Sequence, residues 1–272
     1  MNLTSPSQVK SWCIANGFHP NRTLGQNFLI DRNALVAIVD AGLGPAPVPG
    51  ARVLEIGPGL GVLTEEMLAR GACVTAVEKD PVLAERLAGA LGNPAGLTVV
   101  AGDALDVLAG RAGAAAPDVA GGFDFMVSNL PYQSGTRILL ELVLRRAVPS
   151  MTVLVQTEVA ERLAAGPGSK TRSLSGVWAQ LDYDVRLVRK VAASCFWPRP
   201  EVGSTVVTLV RHDRNAALSA EERGFFRRLT KRAFEHRRKQ LGSVFKDMVQ
   251  STARAEELSN EDWLTLVKGL TS

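Results

Sequence analysis

Between Arg52 and Val210 the chain alternates short apolar runs with stretches of helical period. Arg52–Ile56 reads as an apolar strand, followed by a glycine-rich turn and a helix over about Val62–Arg70, which Gly71 ends. Cys73–Val77 is the next strand, Asp80-Pro81 opens a helix to about Leu91, and Leu97–Val100 is a third strand. The pattern resumes with a strand at Phe123–Val127, a helix at Thr136–Arg145, a strand at Met151–Val155 and a helix at Glu158–Ala165. Val185–Val191 and Thr205–Val210 are two further strands, whereas from about residue 214 only helical signals remain. Strands alternating with helices predict an α/β fold with a largely parallel sheet covered on both faces. A small all-helical domain follows, so the expected division is 1–211 and 212–272. Upstream, Ser5-Pro6-Ser7-Gln8 predicts a helix start that Gly17 ends, residues 18–30 a polar loop, and Asp31 the cap of a helix through Leu43. Gly44–Gly50 and the Ala/Gly-rich Arg111–Gly122 are predicted loops.

Composition narrows this picture mainly by exclusion. With 46% hydrophobic and 21% charged residues, wholesale disorder is excluded. No uncharged stretch of membrane-spanning length lacks Gly or Pro; the run Leu87–Gly102 holds Gly89, Gly92, Pro94 and Gly96, so no transmembrane helix is expected. The N-terminal residues lack the apolar core of a secretory signal. Three separated cysteines and three scattered histidines form no CxxC or HxxxH pair. The expectation is a cytoplasmic, reduced monomer without a bound metal.

Charge is unevenly spread. Residues 1–210 hold 18 Lys+Arg and 18 Asp+Glu, whereas residues 211–272 hold 13 and 9, the whole net +4. Arg223–Lys239 alone carries eight basic residues against Glu235. Phe225, Phe226, Leu229 and Ala233 form an apolar stripe at helical spacing, continued by Leu241, Val244 and Phe245. The cations, among them Arg227, Arg228, Lys231, Arg237, Arg238 and Lys239, fill the complementary face, a pattern suited to nucleic-acid phosphates.

The candidate chemistry lies in the first domain. Glu55-x-Gly57-x-Gly59-x-Gly61 follows a strand and opens a helix, where glycines permit a sharp turn and close ligand approach. A dinucleotide fingerprint needs Gly or Ala at 62; Val62 there favours S-adenosylmethionine over NAD. Glu78 ends the next strand, 21 residues past Gly57, and can accept both ribose hydroxyls. Asp103 ends the third strand and can accept from the cofactor's adenine amino group. Asn129-Leu130-Pro131-Tyr132 then follows the strand FDFMV. Here the chain resembles amino-methyltransferases with an (Asp/Asn/Ser)-x-Pro-(Tyr/Phe) motif. An exocyclic adenine nitrogen is a poor nucleophile because its lone pair is delocalised into the ring. The Asn129 side-chain oxygen and the Leu130 carbonyl can accept its two hydrogens, Pro131 stiffens the turn, and Tyr132 can stack on an extruded base.

More landmarks narrow the resemblance to the ribosomal RNA adenine N6,N6-dimethyltransferases. Leu24-Gly25-Gln26-Asn27-Phe28-Leu29-Ile30-Asp31 is similar to that family's N-terminal signature. So are Gln156–Leu163 with the following Gly166-Pro167-Gly168-Ser169-Lys170, and Phe196-x-Pro198-x-Pro200-x-Val202-x-Ser204. The resemblance implies cofactor contacts by Asn27 and Leu29, and a second base-stacking aromatic at Phe196. It further implies dimethylation of two adjacent adenines near the 3′ end of small-subunit rRNA, within a pre-ribosomal 30S particle. Gln133-Ser134-Gly135 after the tetrapeptide and Gly176 depart from the family pattern. Three other readings stay open: a macrolide-resistance type methylase of large-subunit rRNA, an assembly factor that mainly binds RNA, and a small-molecule or DNA methyltransferase.

Overall fold

A computed structural model describes residues 1–21, 24–111 and 122–271; the predicted loop at 111–122 falls almost wholly outside them. The chain opens with helix α1 (Pro6–Ala15), a two-residue strand β1 (Phe28–Leu29) and helix α2 (Arg32–Leu43). Strands and helices then alternate as β2 (Arg52–Ile56), α3 (Val62–Ala69), β3 (Cys73–Glu78), α4 (Pro81–Ala90), β4 (Leu97–Ala101) and α5 (Ala104–Leu108). They continue as β5 (Phe125–Asn129), α6 (Gly135–Arg145), β6 (Ser150–Gln156), α7 (Thr157–Ala164) and α8 (Leu174–Asp182). The last sheet elements are β7 (Tyr183–Val191), β8 (Phe196–Trp197) and β9 (Ser204–Arg211), followed by α9 (Ala220–Glu235), α10 (Leu241–Phe245) and α11 (Asn260–Thr271).

Seven strands form one sheet in the order β4-β3-β2-β5-β6-β9-β7. Every pairing from β4 through β6 is parallel, and β9 runs antiparallel to β6. From β2 the chain winds outward through β3 and β4, then returns to the other side of β2 with β5. That reversal opens a crevice at the carboxyl ends of β2 and β5, where open α/β sheets hold ligands. Nearly continuous apolar runs on these strands are buried on both faces; Val53, Leu54, Met126, Val127, Val153 and Leu154 are all fully buried.

Two compact units emerge: residues 1–160 with 186–210, and residues 161–185 with 211–272. The expected single cut near 211 therefore omits a segment. Residues 161–185 join the second unit because α8 buries Val177 and Leu181 in its core, with Phe226, Leu229 and Trp263. Neither α8 nor α5 is predicted by periodicity. Both start on a side-chain cap: the Ser173 hydroxyl accepts from the Gly176 N–H at 3.3 Å, and Asp103 accepts from the Leu105 N–H at 2.8 Å. β5 also runs two residues later than expected, so Asn129 ends the strand, opposite Leu154 of β6.

Candidate active site

A cavity of about 340 Å³ opens in the first unit at the carboxyl ends of β2, β3 and β5 and beside Gly102–Ala104, just past the end of β4. Of the expected site residues, Gly57, Gly59, Glu78, Asp103 and Asn129–Tyr132 line it, and Asn27 and Leu29 form part of its opposite wall. The glycine-rich turn takes a backbone conformation, packed against its neighbours, that side chains would disrupt. Gly59 and Gly61 hold positive φ of 58° and 89°, and a Cβ on them would come within 3.1 Å of the Phe28 ring and 2.7 Å of the Leu87 side chain.

Three carboxylates organise this cradle. Glu78 is 6% exposed, and its two oxygens accept the N–H groups of Gly59 at 3.0 Å and Asp80 at 2.9 Å. Burial raises its pKa while these backbone donors oppose the rise. Each oxygen keeps a second lone pair, so the carboxylate can tie the turn to β3 and still accept ligand hydroxyls. Asp103 is held by Lys79 at 2.8 Å, which keeps its carboxyl below the usual range and charged at neutral pH. The third acid, Glu55, has no role in the sequence reading beyond its place in the glycine motif. It lines the cavity at 1% exposure, accepts the Thr64 hydroxyl at 2.6 Å, and is pushed up by burial to about 8.

Asn129 meets the segment before α2. Its Nδ2 donates to the Asn27 carbonyl at 3.2 Å, which fixes the amide so that Oδ1 remains the acceptor. That segment approaches closely: a Cβ on Gly25 would lie 3.2 Å from the Tyr132 nitrogen. Gln26 pins it further, donating to Asp80 at 2.8 Å while accepting the Asn21 N–H at 2.7 Å. The half-buried Tyr132 shares a 2.6 Å hydrogen bond with the hydroxyl of Ser204, and burial raises the phenol pKa. Gly135, one of the departures from the family pattern, starts α6 where a Cβ would stand 2.8 Å from Leu130 Cβ. A small residue is therefore what lets the helix begin against the tetrapeptide.

Sequence reading missed the supporting bonds of Gln26, Ser204 and Thr64, whose only signal was membership of the quoted motifs or of the helix after them. Phe196 needs correction. It does not line the cavity but is 2% exposed within the core, because β8 pairs with β1 and sets Phe196 opposite Leu29. There it backs the Leu29 wall instead of offering a second aromatic face.

The basic segment of the second unit also divides. Arg228, Lys231, Arg238 and Lys239 are exposed, and Arg227 is half-buried with its Nε on the Arg223 carbonyl at 3.2 Å. Arg223 pairs with the buried Asp182 at 2.7 Å, and Arg237 pairs with Glu256 at 2.7 Å and donates to the Lys170 carbonyl. The last two are internal ties, so Arg237, though 37% exposed, also has a structural part. Among the described residues, no cluster of His, Cys, Asp or Glu is arranged to hold a metal, and no helix is long and apolar enough to cross a membrane.

With this geometry in hand, the sequence matches the family described as Ribosomal RNA adenine dimethylase over residues 17–270. A Deinococcus radiodurans protein named Ribosomal RNA small subunit methyltransferase A is 44% identical over 219 residues, covering 76% of this chain and 67% of that one. A Moorella thermoacetica protein of the same name is 36% identical over 245 residues, covering 88% and 83%. Among solved structures, a dimethyladenosine transferase from Plasmodium falciparum aligns with TM-score 0.70 at 23% identity, over 87% of this chain and 94% of its own. The 23S rRNA methyltransferase ErmE aligns with TM-score 0.69 at 24% identity, over 90% and 100%. At these identities the two structures support the fold alone.

Proposed function

The chain belongs to the ribosomal RNA adenine dimethylase family, and from that premise we propose that it is an S-adenosylmethionine-dependent enzyme that dimethylates two adjacent adenosines at N6 near the 3′ end of small-subunit (16S) rRNA. The observation that carries this reading is the Asn129 amide, fixed by the Asn27 carbonyl beside a cradle whose buried acid is Glu78. The cradle suits the cofactor: Gly57 and Gly59 line it with positive-φ backbone free of side chains, and Glu78 and Asp103 are acceptors matched to a ribose diol and an adenine amine. When bound, S-adenosylmethionine supplies an electrophilic methyl on a sulfonium sulfur.

The remaining chemistry is the protein's. Tyr132 stacks on the flipped base, with its ring held in place by Ser204. Asn129 Oδ1 and the Leu130 carbonyl accept the two N6 hydrogens and draw the nitrogen's lone pair out of the ring. The nitrogen takes the methyl as the carbon–sulfur bond breaks and the sulfur leaves as a neutral thioether; the nitrogen then loses one proton to solvent, and a second methyl follows in the same way once a fresh S-adenosylmethionine is bound. No strong base is required, since orientation and electrostatics lower the barrier. The proposal assigns catalysis to the first unit and rRNA contact to Arg227, Arg228, Lys231, Arg238 and Lys239 of the second. The substrate is taken to be a pre-ribosomal 30S particle, met by a cytoplasmic monomer with a part in small-subunit biogenesis.

The test is methyl transfer from labelled S-adenosylmethionine to unmethylated small subunits, with large subunits and free rRNA in parallel and mass analysis of digested RNA. N6,N6-dimethyladenosine from small subunits alone is expected. Product from large-subunit RNA alone would favour the macrolide-resistance type, and tight binding without product an assembly factor.

A further inference from the structure

The first unit carries its own concentration of positive charge, far along the chain from the cavity motifs. Residues 1–160 hold eleven Lys+Arg against fourteen Asp+Glu, whereas residues 186–210 of the same unit hold four against one. The four cations, Arg186, Arg189, Lys190 and Arg199, are all exposed. Among the described residues, no carboxylate lies within ion-pair distance of Arg186, Arg189 or Arg199.

Their position adds to this. β7 is the outermost strand of the sheet, and Arg186–Lys190 are exposed in succession, so both faces of the strand are uncovered there. Alternate backbone N–H groups of such an edge point outward and can donate to an anion. Apolar side chains of the same strand are exposed as well: Leu187 and Val188 are 45% and 47% exposed. Lys and Arg on an edge strand can serve only to prevent strand-to-strand aggregation. That explanation covers Arg186, Arg189 and Lys190, but not Leu187 and Val188, exposed aliphatic side chains that an edge built only to repel other strands would lack. Guanidiniums beside aliphatic side chains suit a sugar–phosphate backbone: the planar forks bind phosphate bidentately and the apolar groups pack on ribose.

We propose that this sheet edge, Arg186–Lys190, is a further docking surface for the backbone of the substrate rRNA, in addition to the basic segment of the second unit. The inference rests on the rRNA-methylating function proposed above. Its test is the R186E/R189E protein, titrated against unmethylated small subunits over a range of salt, beside the parent. Two lost phosphate contacts should raise the Kd about tenfold and make log K against log salt shallower by about 1.4–1.8. S-adenosylmethionine affinity and unfolding temperature should match the parent, since both side chains are exposed and neither lines the cavity. An unchanged Kd and salt slope would overturn the proposal. So would weakened binding by L187S/V188S without any effect of charge reversal, which would indicate an apolar contact with a protein. Failure of the functional reading is separately visible as a parent that methylates no small subunits, and this proposal would fall with it.

Discussion

Glu78 and Arg238 are both ionisable side chains of the proposed machinery, yet their surroundings are opposite. Glu78 is buried, and backbone N–H groups occupy one side of its carboxylate. Arg238 is exposed on a basic segment, with water and salt for neighbours. In the cavity a charge persists only where donors hold it, so each bond is strong, directional and specific to one residue. On the basic segment a cation is screened and contributes a small increment shared with its neighbours. Changes in the cavity should therefore be large and qualitative, and changes on the basic segment small, cumulative and sensitive to salt.

The largest effect expected is that of Asn129→Ala. Removing the acceptor of an N6 hydrogen should lower single-turnover methyl transfer at least about 100-fold, the scale of losing one transition-state hydrogen bond. Cofactor affinity, measured calorimetrically, should stay within about threefold. A parental rate would break the mechanism. Glu78→Ala comes next and should raise the Kd for S-adenosylmethionine roughly 10- to 100-fold, since charge-assisted bonds are lost. Glu78→Gln should resemble it more than the parent. Both carboxylate oxygens face N–H donors, and an amide must turn an NH₂ toward one of them. If Glu78→Gln bound cofactor as the parent does, the directional account of the cavity would be wrong.

These same residues mark how far the sequence could be read. Strands β2, β3, β5 and β6 were legible because buried parallel strands must be largely apolar, and the turns after them carry glycine, acid or Asn-x-Pro-Tyr. The bonds that make the cavity specific were not legible. Asn129 and Asn27 are 102 residues apart, Tyr132 and Ser204 are 72 apart, and Gln26 and Asp80 are 54 apart. Such pairs are set by strand order, which no local period encodes. Phe196 failed for the same reason: the motif marked it, but its antiparallel partner Leu29 decides which way the ring faces. Arg237 looked like its neighbours in a basic run until Glu256 appeared 19 residues later as its partner.

Glu55 allows a test of smaller amplitude. Its folded pKa, near 8, lies above the unfolded carboxyl value of about 4.3. Below the unfolded value its contribution to stability is fully present. Between about pH 4.3 and 8 the folded protein holds a proton that the unfolded chain releases, so stability falls as pH rises through that window. The slope is at most about 1.4 kcal/mol per pH unit. Glu55→Gln keeps an acceptor for the Thr64 hydroxyl and has nothing to titrate. Its unfolding temperature should decline less than the parent's between pH 6 and 9. Parallel profiles would mean that Glu55 is already ionised at neutral pH.

The smallest effects separate two neighbours in the basic run. Arg237→Ala removes a partly exposed ion pair and the bond to the Lys170 carbonyl, so it should cost about 0.5–1 kcal/mol of stability and leave the salt slope of RNA binding unchanged. Lys239→Ala should do the reverse: stability as in the parent, with the slope of log K against log salt shallower by about 0.7–0.9. Thermal unfolding and a salt titration on the same two proteins read both quantities. If the two variants behaved alike, the distinction between a charge that builds the unit and a charge that meets RNA would not hold there. If they part as expected, position in the fold, and not membership of a charged run, decides what a cation does.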